Sequence, residues 1–432
     1  MLERIGQEQQ VYTWQEPDEK TLSFQREHSA SLRISIVVPA YRTKKEHLEA
    51  MLNSVSRQSY PHWELIVADA GGTAESVQAW AKKNGICLRK AADASNLAEW
   101  MDQSIMLCTL SENKGISANT NAGIELAAGD AVGLLDHDDL LTANALWEMA
   151  DCLEKEKKRG KQKLVLFSDE DKCDGAASRF YEPNFKLDFD GELLLTNNYI
   201  CHFTVIETAF LKELKLRSGF DGAQDYDLML RAYAAGGQFV HVPKVLYHWR
   251  CHEASTASNP QSKRYAYEAG QRALEDYCLR KGWKATVSGL KHLGFYREDY
   301  EDSVFCQRPE IGIWAKPLPG GRDIFGIRHP KGFLVSGLYE NDGSMRYAGL
   351  RKGYSGPMHR AALQQSAPAA DLRSMEVCSA LKERYAQTIA ELKEACQGLP
   401  TAAQETKILQ KSMEFCKEAT AAGYGILWDP QA

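Results

Sequence analysis

Short apolar runs, each ended by small or acidic residues, recur along the first half of the chain. Ile34-Ser35-Ile36-Val37-Val38, stopped by Pro39, reads as a first strand. Leu48, Met51, Leu52 and Val55 then fall at helical spacing. Trp63 to Ala68 reads as a second strand ending in Asp69-Ala70-Gly71-Gly72, and Ile105 to Leu110 as a third ending in Ser111-Glu112-Asn113. Gly115 to Asp139 supplies a small-residue loop, a short helix, the apolar run Val132-Gly133-Leu134-Leu135, and then Asp136-His137-Asp138-Asp139. Leu146, Met149 and Leu153 give the next helix. Leu164 to Phe167 gives a fifth strand running into Ser168-Asp169-Glu170-Asp171-Lys172. Strands alternating with helices predict a doubly wound, mostly parallel α/β sheet covered on both faces. Ligands of such sheets bind outside the carboxyl ends of the strands, so these polar turns should line one cleft.

Residues 1 to 32 are polar and mixed; Tyr12, Trp14 and Phe24 would dock a short helical lead-in, with a free tail as the other reading. Beyond residue 173, Tyr199 to Ile206 reads as a strand. Gly219 to Asp225 reads as a glycine-punctuated loop opening a helix from Tyr226 to Ala235. Val245 to Trp249 is another strand and Ser262 to Arg280 a long helix. After about residue 298 the character changes. Arg308 to Gly326 is rich in Pro and Gly, Phe333 to Tyr339 looks like a strand, and Leu381, Tyr385, Ile389, Leu392 and Cys396 fit an amphipathic helix. Thr401-x-x-Gln404 is a capping box for a further helix, and Gly425 to Trp428 reads as a last strand. The chain therefore divides into a lead-in over 1–32, a main domain over 33–298 and a smaller α/β region over 299–432.

Composition narrows the function classes. The 432 residues are 44% hydrophobic and 25% charged, ordinary for a globular protein. A formal charge of −6 argues against a general nucleic-acid binder. Eleven scattered cysteines without a Cys-x-x-Cys pair fit reduced thiols in a cytoplasmic protein rather than a zinc ribbon or disulfide framework. The first residues lack the apolar core of a signal peptide. No apolar run reaches the roughly 18 residues of a membrane span, which leaves peripheral attachment at the inner face of the membrane open.

Asp136 and Asp138 follow the run over 132–135. If the chain stays extended they share a side, as a hard-oxygen site for Mg²⁺ or Mn²⁺ that also takes phosphate oxygens. Asp139 could cap the helix that follows. The segments ISIVVPAY, VADAGG, GIS to DHDD and FDGAQDYDLMLR, together with SDEDK and HWRCHEASTAS, resemble in order and spacing a family 2 glycosyltransferase of the GT-A fold, over residues 33 to 298. Bacterial enzymes that build O-antigen or cell-wall polysaccharide, often called rhamnosyltransferases, are the nearest match in kind.

That resemblance implies roles. Pro39 and Tyr41 would border the nucleotide base, and Asp69 would accept from its imide. The second acid common in relatives at the next position is Ala70 here. Gly115 and Asn121 would line the sugar-nucleotide. Asp136 would face the ribose or a metal-bound water, and Asp138 would hold the metal, with His252, or His248 as the fallback, closing its site. Asp225 would be the catalytic base for in-line, inverting displacement from a nucleoside-diphosphate sugar to a glycan or polyprenyl-linked acceptor. Asp169, Asp171 and His202 would face the acceptor, with a solvated acidic loop as the other reading of 169–171. Taken singly, Pro39 reads as a strand stop, Tyr41 as a packed aromatic, Asp69 and Asn121 as turn or helix caps, and Asp225 as a helix cap.

Two other functions are open. A sugar nucleotidyltransferase would need a basic, Gly-rich phosphate loop after the first strand, where Pro-Ala-Tyr-Arg stands. A non-catalytic glycan-binding or scaffold protein would keep the fold and lose the metal ligand or base. Asp342 to Gly349 and Gly425 to Trp428 faintly resemble a degenerate second transferase domain.

Overall fold

The computed structural model describes residues 12–92, 100–251, 264–290 and 293–300, and the backbone of strands between residues 311 and 428. The chain forms two compact units. One is Met1–Phe189 with Asn198–Tyr277; the other is Asp190–Asn197 with Cys278–Ala432. The cut near residue 277 falls inside a helix rather than at residue 298.

The first unit alternates as the pattern predicts. It begins with α1 (Glu19–Glu27), β1 (Ile34–Ala40), α2 (Lys45–Ser56), β2 (Trp63–Asp69) and α3 (Ala74–Asn84). Then come β3 (Cys87–Lys90), β4 (Ser104–Thr109), α4 (Ile116–Leu126), β5 (Ala131–Leu134), β6 (Leu140–Leu141) and α5 (Ala145–Lys158). Further on are β7 (Leu164–Cys173), β8 (Phe180–Asn184), α6 (Gly191–Thr196, which belongs to the second unit), β9 (Thr204–Glu207), α7 (Thr208–Leu214), α8 (Gln224–Ala234), β10 (Gln238–Arg250) and α9 (Arg264–Arg280).

The ten-stranded sheet has the order β3-β4-β2-β1-β5-β9-β7-β10-β6, with β8 on β7. The strands from β3 to β5 run parallel. β9 is antiparallel to both β5 and β7, whereas β7 and β10 are parallel to each other. The continuous apolar runs are buried on both faces. Ile36, Val38, Leu65 and Val67 join Leu48, Met51 and Leu52 in one core. On the other face α4 comes very close: a Cβ on Gly123 would stand 2.6 Å from Val37 Cγ1.

Several expectations are corrected. Pro39 does not stop β1, which runs to Ala40 with Pro39 opposite Ala68. Val37 is the last β1 residue paired to β5, so the missing N–H of Pro39 falls beyond that ladder. β3 was not expected; its outer edge is open and its burial mixed. The fifth strand does not end at Phe167. β7 continues through the acidic run to Cys173, because β8 and β10 pair with it along that length. Tyr12 and Trp14 do dock the lead-in, on Asp171 and His248, but Phe24 is 53% exposed and stacks only on His28. The buried residue of α1 is Gln25, which accepts from the Ser59 hydroxyl at 2.7 Å.

In the second unit, β11 (Ala285–Gly289) and β12 (Tyr296–Tyr300) form an antiparallel pair. A six-stranded antiparallel sheet follows, from β13 (Ile311–Leu318), β14 (Arg322–His329), β15 (Gly332–Glu340), β16 (Tyr347–Lys352), β17 (Asp371–Arg373) and β18 (Tyr424–Trp428). Strands occupy much of the Pro- and Gly-rich run from Arg308 to Gly326. Among the described residues this is not the parallel order that a second copy of the first sheet would need. The helices expected around Leu381 to Cys396 and after Thr401 lie outside the described residues.

Candidate active site

The parallel strands β2, β1 and β5 end at one edge, and the expected donor-side residues gather there. Tyr41 is 39% exposed; the Arg42 guanidinium lies 5.0 Å from its ring centroid, and Gly71 packs beside it. Asp69 is buried and turned inward. Its carboxylate accepts from the backbone N–H groups of Gly71 (3.1 Å), Thr73 (3.2 Å) and Ala74 (3.0 Å). It holds the loop and the start of α3, so the cap reading is the one its hydrogen bonds match.

Gly115 precedes α4 with φ +94°, a conformation that favours glycine. A Cβ there would meet Asp221 Oδ2, and Asp221 Oδ1 accepts from Ser117 N–H at 3.3 Å. Asp221 was not singled out from the sequence. It ties the loop before α8 to the start of α4. Asn121 is one turn along α4, but both ends of its amide are taken by the Leu216 backbone, at 2.8 and 2.9 Å. It fastens a loop rather than lining the cleft.

Beyond β5 the carboxylates crowd together. Asp139 is buried, accepting from the Tyr247 hydroxyl at 2.5 Å and from Arg250 N–H at 2.7 Å. Burial, and then Asp138 and Asp136, push its carboxyl well above the usual range. Asp136 is partly exposed. Poor hydration raises its carboxyl, Asp138 and Asp225 add to this by repulsion, and His202 and His137 oppose it. The fold thus brings Asp136, Asp138, His202 and Asp225 to one place from β5, the segment before β9, and α8.

Asp225 stands in the first turn of α8, where the helix dipole favours a carboxylate. Its Oδ2 accepts from Asn198 Nδ2 at 2.8 Å and from the Cys201 thiol at 3.3 Å. Burial pushes the Cys201 thiol up to about 12, so it stays a donor. No partner engages Oδ1 among the described residues. His202 lies 3.8 Å from Asp136 and 3.0 Å from Glu170, and stacks on the Tyr247 ring with centroids 4.7 Å apart. Burial disfavours its imidazolium, but Cys201 and Glu170 outweigh burial and hold it well above the ordinary range. Glu170, despite burial, is pulled down to about 2 by Lys186 and His202.

Asp169 and Asp171 are corrected more sharply. They lie inside β7, on the opposite face from Glu170. Asp169 is 2.8 Å from His241 and accepts from Lys186 N–H; Asp171 is 2.5 Å from His248 and accepts from the Tyr12 hydroxyl. Both are buried by internal partners, so of the three expected acceptor residues His202 alone joins the Asp136 cluster. Sequence reasoning missed Glu170 and Cys201 as cluster members. The signal available was the alternation along 169–171, which sets Glu170 apart once the run is read as strand.

His252, expected to close a metal site, lies outside the described residues. Among the described residues no group of three His, Cys, Asp or Glu is arranged to hold a metal. The donor chemistry at Asp136 and Asp138 still suits a hard divalent cation. Their oxygens repel each other, and such ions complete their shells with water and substrate phosphate.

Residues 35–214 match the family model described as Glycosyl transferase family 2. They form a glycosyl transferase family 2 domain. An uncharacterized protein, y4gI, of Sinorhizobium fredii is 36% identical to the chain over 255 residues, 58% of this chain and 26% of that protein. The O-antigen biosynthesis protein RfbC of Myxococcus xanthus is 34% identical over 256 residues, 59% of this chain and 19% of that protein. The chain therefore spans about a quarter and about a fifth of the length of these relatives. The crystal structure of S. aureus TarS 1-349 in complex with UDP-GlcNAc is similar at a TM-score of 0.43 and 19% identity, covering 57% of this chain and 67% of that one. Asp136, Asp138, Asp169, Glu170, Asp171 and His202 fall within the family 2 domain, whereas Asp225 and Tyr247 lie beyond the matched span.

Proposed function

We propose that this protein is an inverting, metal-dependent glycosyltransferase acting in bacterial surface polysaccharide synthesis. It would move a sugar from a nucleoside-diphosphate sugar to a glycan or polyprenyl-linked acceptor at the cytoplasmic face of the membrane. The observation that carries this reading is the convergence of Asp225 with Asp136 and His202 at the end of β5. The family 2 match and the similarity to the O-antigen biosynthesis protein of Myxococcus support it.

Asp138 would hold Mg²⁺ or Mn²⁺, which supplies Lewis-acid neutralisation of the departing nucleoside diphosphate. Asp136 faces the ribose. Tyr41 and Pro39 border the base, beside the loop held by Asp69, and Gly115 leaves room for the sugar-nucleotide. Asp225 Oδ1 takes the acceptor hydroxyl's proton, while Asn198 and Cys201 fix the carboxylate through Oδ2. As a weak base, Asp225 receives that proton late in the displacement. His202 offsets the charge of Asp136 and offers Nε2 toward the acceptor. A single base with in-line attack inverts the anomeric carbon.

The test is a thermal-shift panel of UDP, TDP, GDP and CDP, each with and without Mn²⁺ or Mg²⁺, on wild type and Asp138→Ala. A ligand at a hundredfold its Kd adds about 2.7 kcal/mol. Stabilisation by one nucleotide that needs both metal and Asp138 is the expected result. No metal-dependent shift with any nucleotide would overturn the reading in favour of a glycan-binding scaffold.

A further inference from the structure

A second site stands on the other face of β10. Tyr247 reaches into the Asp136 cluster, so the next residue, His248, points the opposite way. There it lines a cavity of about 390 Å³ with Glu16, Asn53, Arg57, Leu140 and Phe180. This volume falls at the lower end of the ~300–1,000 Å³ usual for small-molecule sites. His248 is 2% exposed. Its Nδ1 is engaged by Asp171 at 2.5 Å, and Asp171 is fixed in turn by the Tyr12 hydroxyl at 2.7 Å. Nε2 has no partner among the described residues. The imidazole is held between the rings of Trp14 and Phe180, with centroids 5.0 and 4.3 Å away.

The groups around this cavity keep open hydrogen-bonding ends. Glu16 has no partner among the described residues. Arg57 uses its Nε on the Asn53 carbonyl, leaving its two terminal nitrogens. Asn53 Oδ1 accepts from Trp80, leaving its amide N–H groups. The buried indole N–H of Trp14, against His248, also has no partner.

The geometry points to this cavity as a binding site for one pyranose ring of a glycan, apart from the donor cleft. The inference rests on the proposed function for why a glycan is at hand. Its chemistry comes from the walls. Phe180 and Leu140 present an apolar face suited to the C–H face of a sugar. Single donors and acceptors around it match hydroxyls, which both give and accept. An anion is disfavoured: Glu16 offsets Arg57, and the nearby end of α2 is the negative end of its dipole. Leu140 lies two residues after Asp138, so a chain held here stays beside the cleft, raising the local concentration of its reacting end.

The experiment is saturation-transfer NMR on the full chain with the methyl glycosides of glucose, galactose, mannose, rhamnose and N-acetylglucosamine. At least one should receive saturation from wild type. That signal should fall about five- to tenfold in Phe180→Ala and in His248→Gln and stay unchanged in His202→Ala. A signal lost in His202→Ala but kept in Phe180→Ala would place the sugar in the cleft and overturn the inference; so would no transfer from any glycoside. Should Phe180→Ala fail to melt cooperatively, His248→Gln decides. Nucleotide-induced stabilisation of His248→Gln should equal that of wild type, so failure of the donor reading and of this one are seen separately.

Discussion

Asp69 and Asp136 stand at the ends of the two strands that flank β1, and their surroundings are opposite. Asp69 is met by three backbone N–H groups of its own loop. Asp136 is met by other carboxylates, with histidines as partial relief. A strand-end acid whose oxygens are already satisfied is scaffold, and changing it costs folding. One held among like charges stores unfavourable energy that a ligand can release, and changing it costs function. Four substitutions probe this contrast, in order of expected effect.

Asp225→Asn removes the proposed proton acceptor while keeping the Oδ contact available to Asn198. Transfer activity should fall about 10²- to 10⁴-fold, with nucleotide binding intact by thermal shift. An equal loss of nucleotide binding would mean Asp225 belongs to the donor side.

Glu170→Gln breaks a buried pair and should cost about 3–5 kcal/mol in denaturant unfolding at pH 7. The sign with pH follows from the lowered Glu170 carboxyl. Its contribution is complete above the ordinary value of 4.5 and is lost as pH falls toward about 2. The wild-type and variant stabilities should therefore converge on acidification. A gap that stays constant to the lowest pH reached would show that Glu170 acts through packing instead.

Asp69→Ala strands buried N–H groups and should cost about 2–3 kcal/mol of stability, with any loss of nucleotide affinity following the loss of fold. If affinity collapses while unfolding is unchanged, Asp69 contacts the ligand and the contrast with Asp136 fails. The smallest effect is expected for Asp136→Asn. Relief of repulsion should leave stability unchanged or raise it by up to about 1 kcal/mol, while nucleotide stabilisation weakens.

Much of the fold was legible because β1, β2 and β5 carry continuous apolar runs, and α2, α4 and α5 carry helical spacing. The limits have physical causes. Asp169-Glu170-Asp171 reads as a loop because charged residues rarely sit inside a strand. Here their partners are Tyr12, His241, Lys186, His202 and His248, all distant along the chain. Asn121 reads as a cleft residue because its partner, the Leu216 backbone, is 95 positions away. Asp225 was singled out through the resemblance of the segment around it to the family; taken singly, its place before a helix reads only as a cap. Its companion Cys201 was beyond pattern reading, because the segment before β9 has no regular period.

β9 enters the sheet at the edge where β1, β2 and β5 leave it, since it runs against β5 and β7. Residues 198–203 are therefore an incoming wall facing the outgoing loops. The two walls answer to different constraints. The outgoing loops are pinned by the parallel core. The incoming wall joins the sheet through four paired residues, Thr204–Glu207, and is otherwise tied by side chains, Asn198 to Asp225 and His202 to Glu170. Such an asymmetry hangs the two halves of the cleft on different supports, so a substitution between Asn198 and His202 should rearrange one wall while the half built on β1, β2 and β5 stays standing.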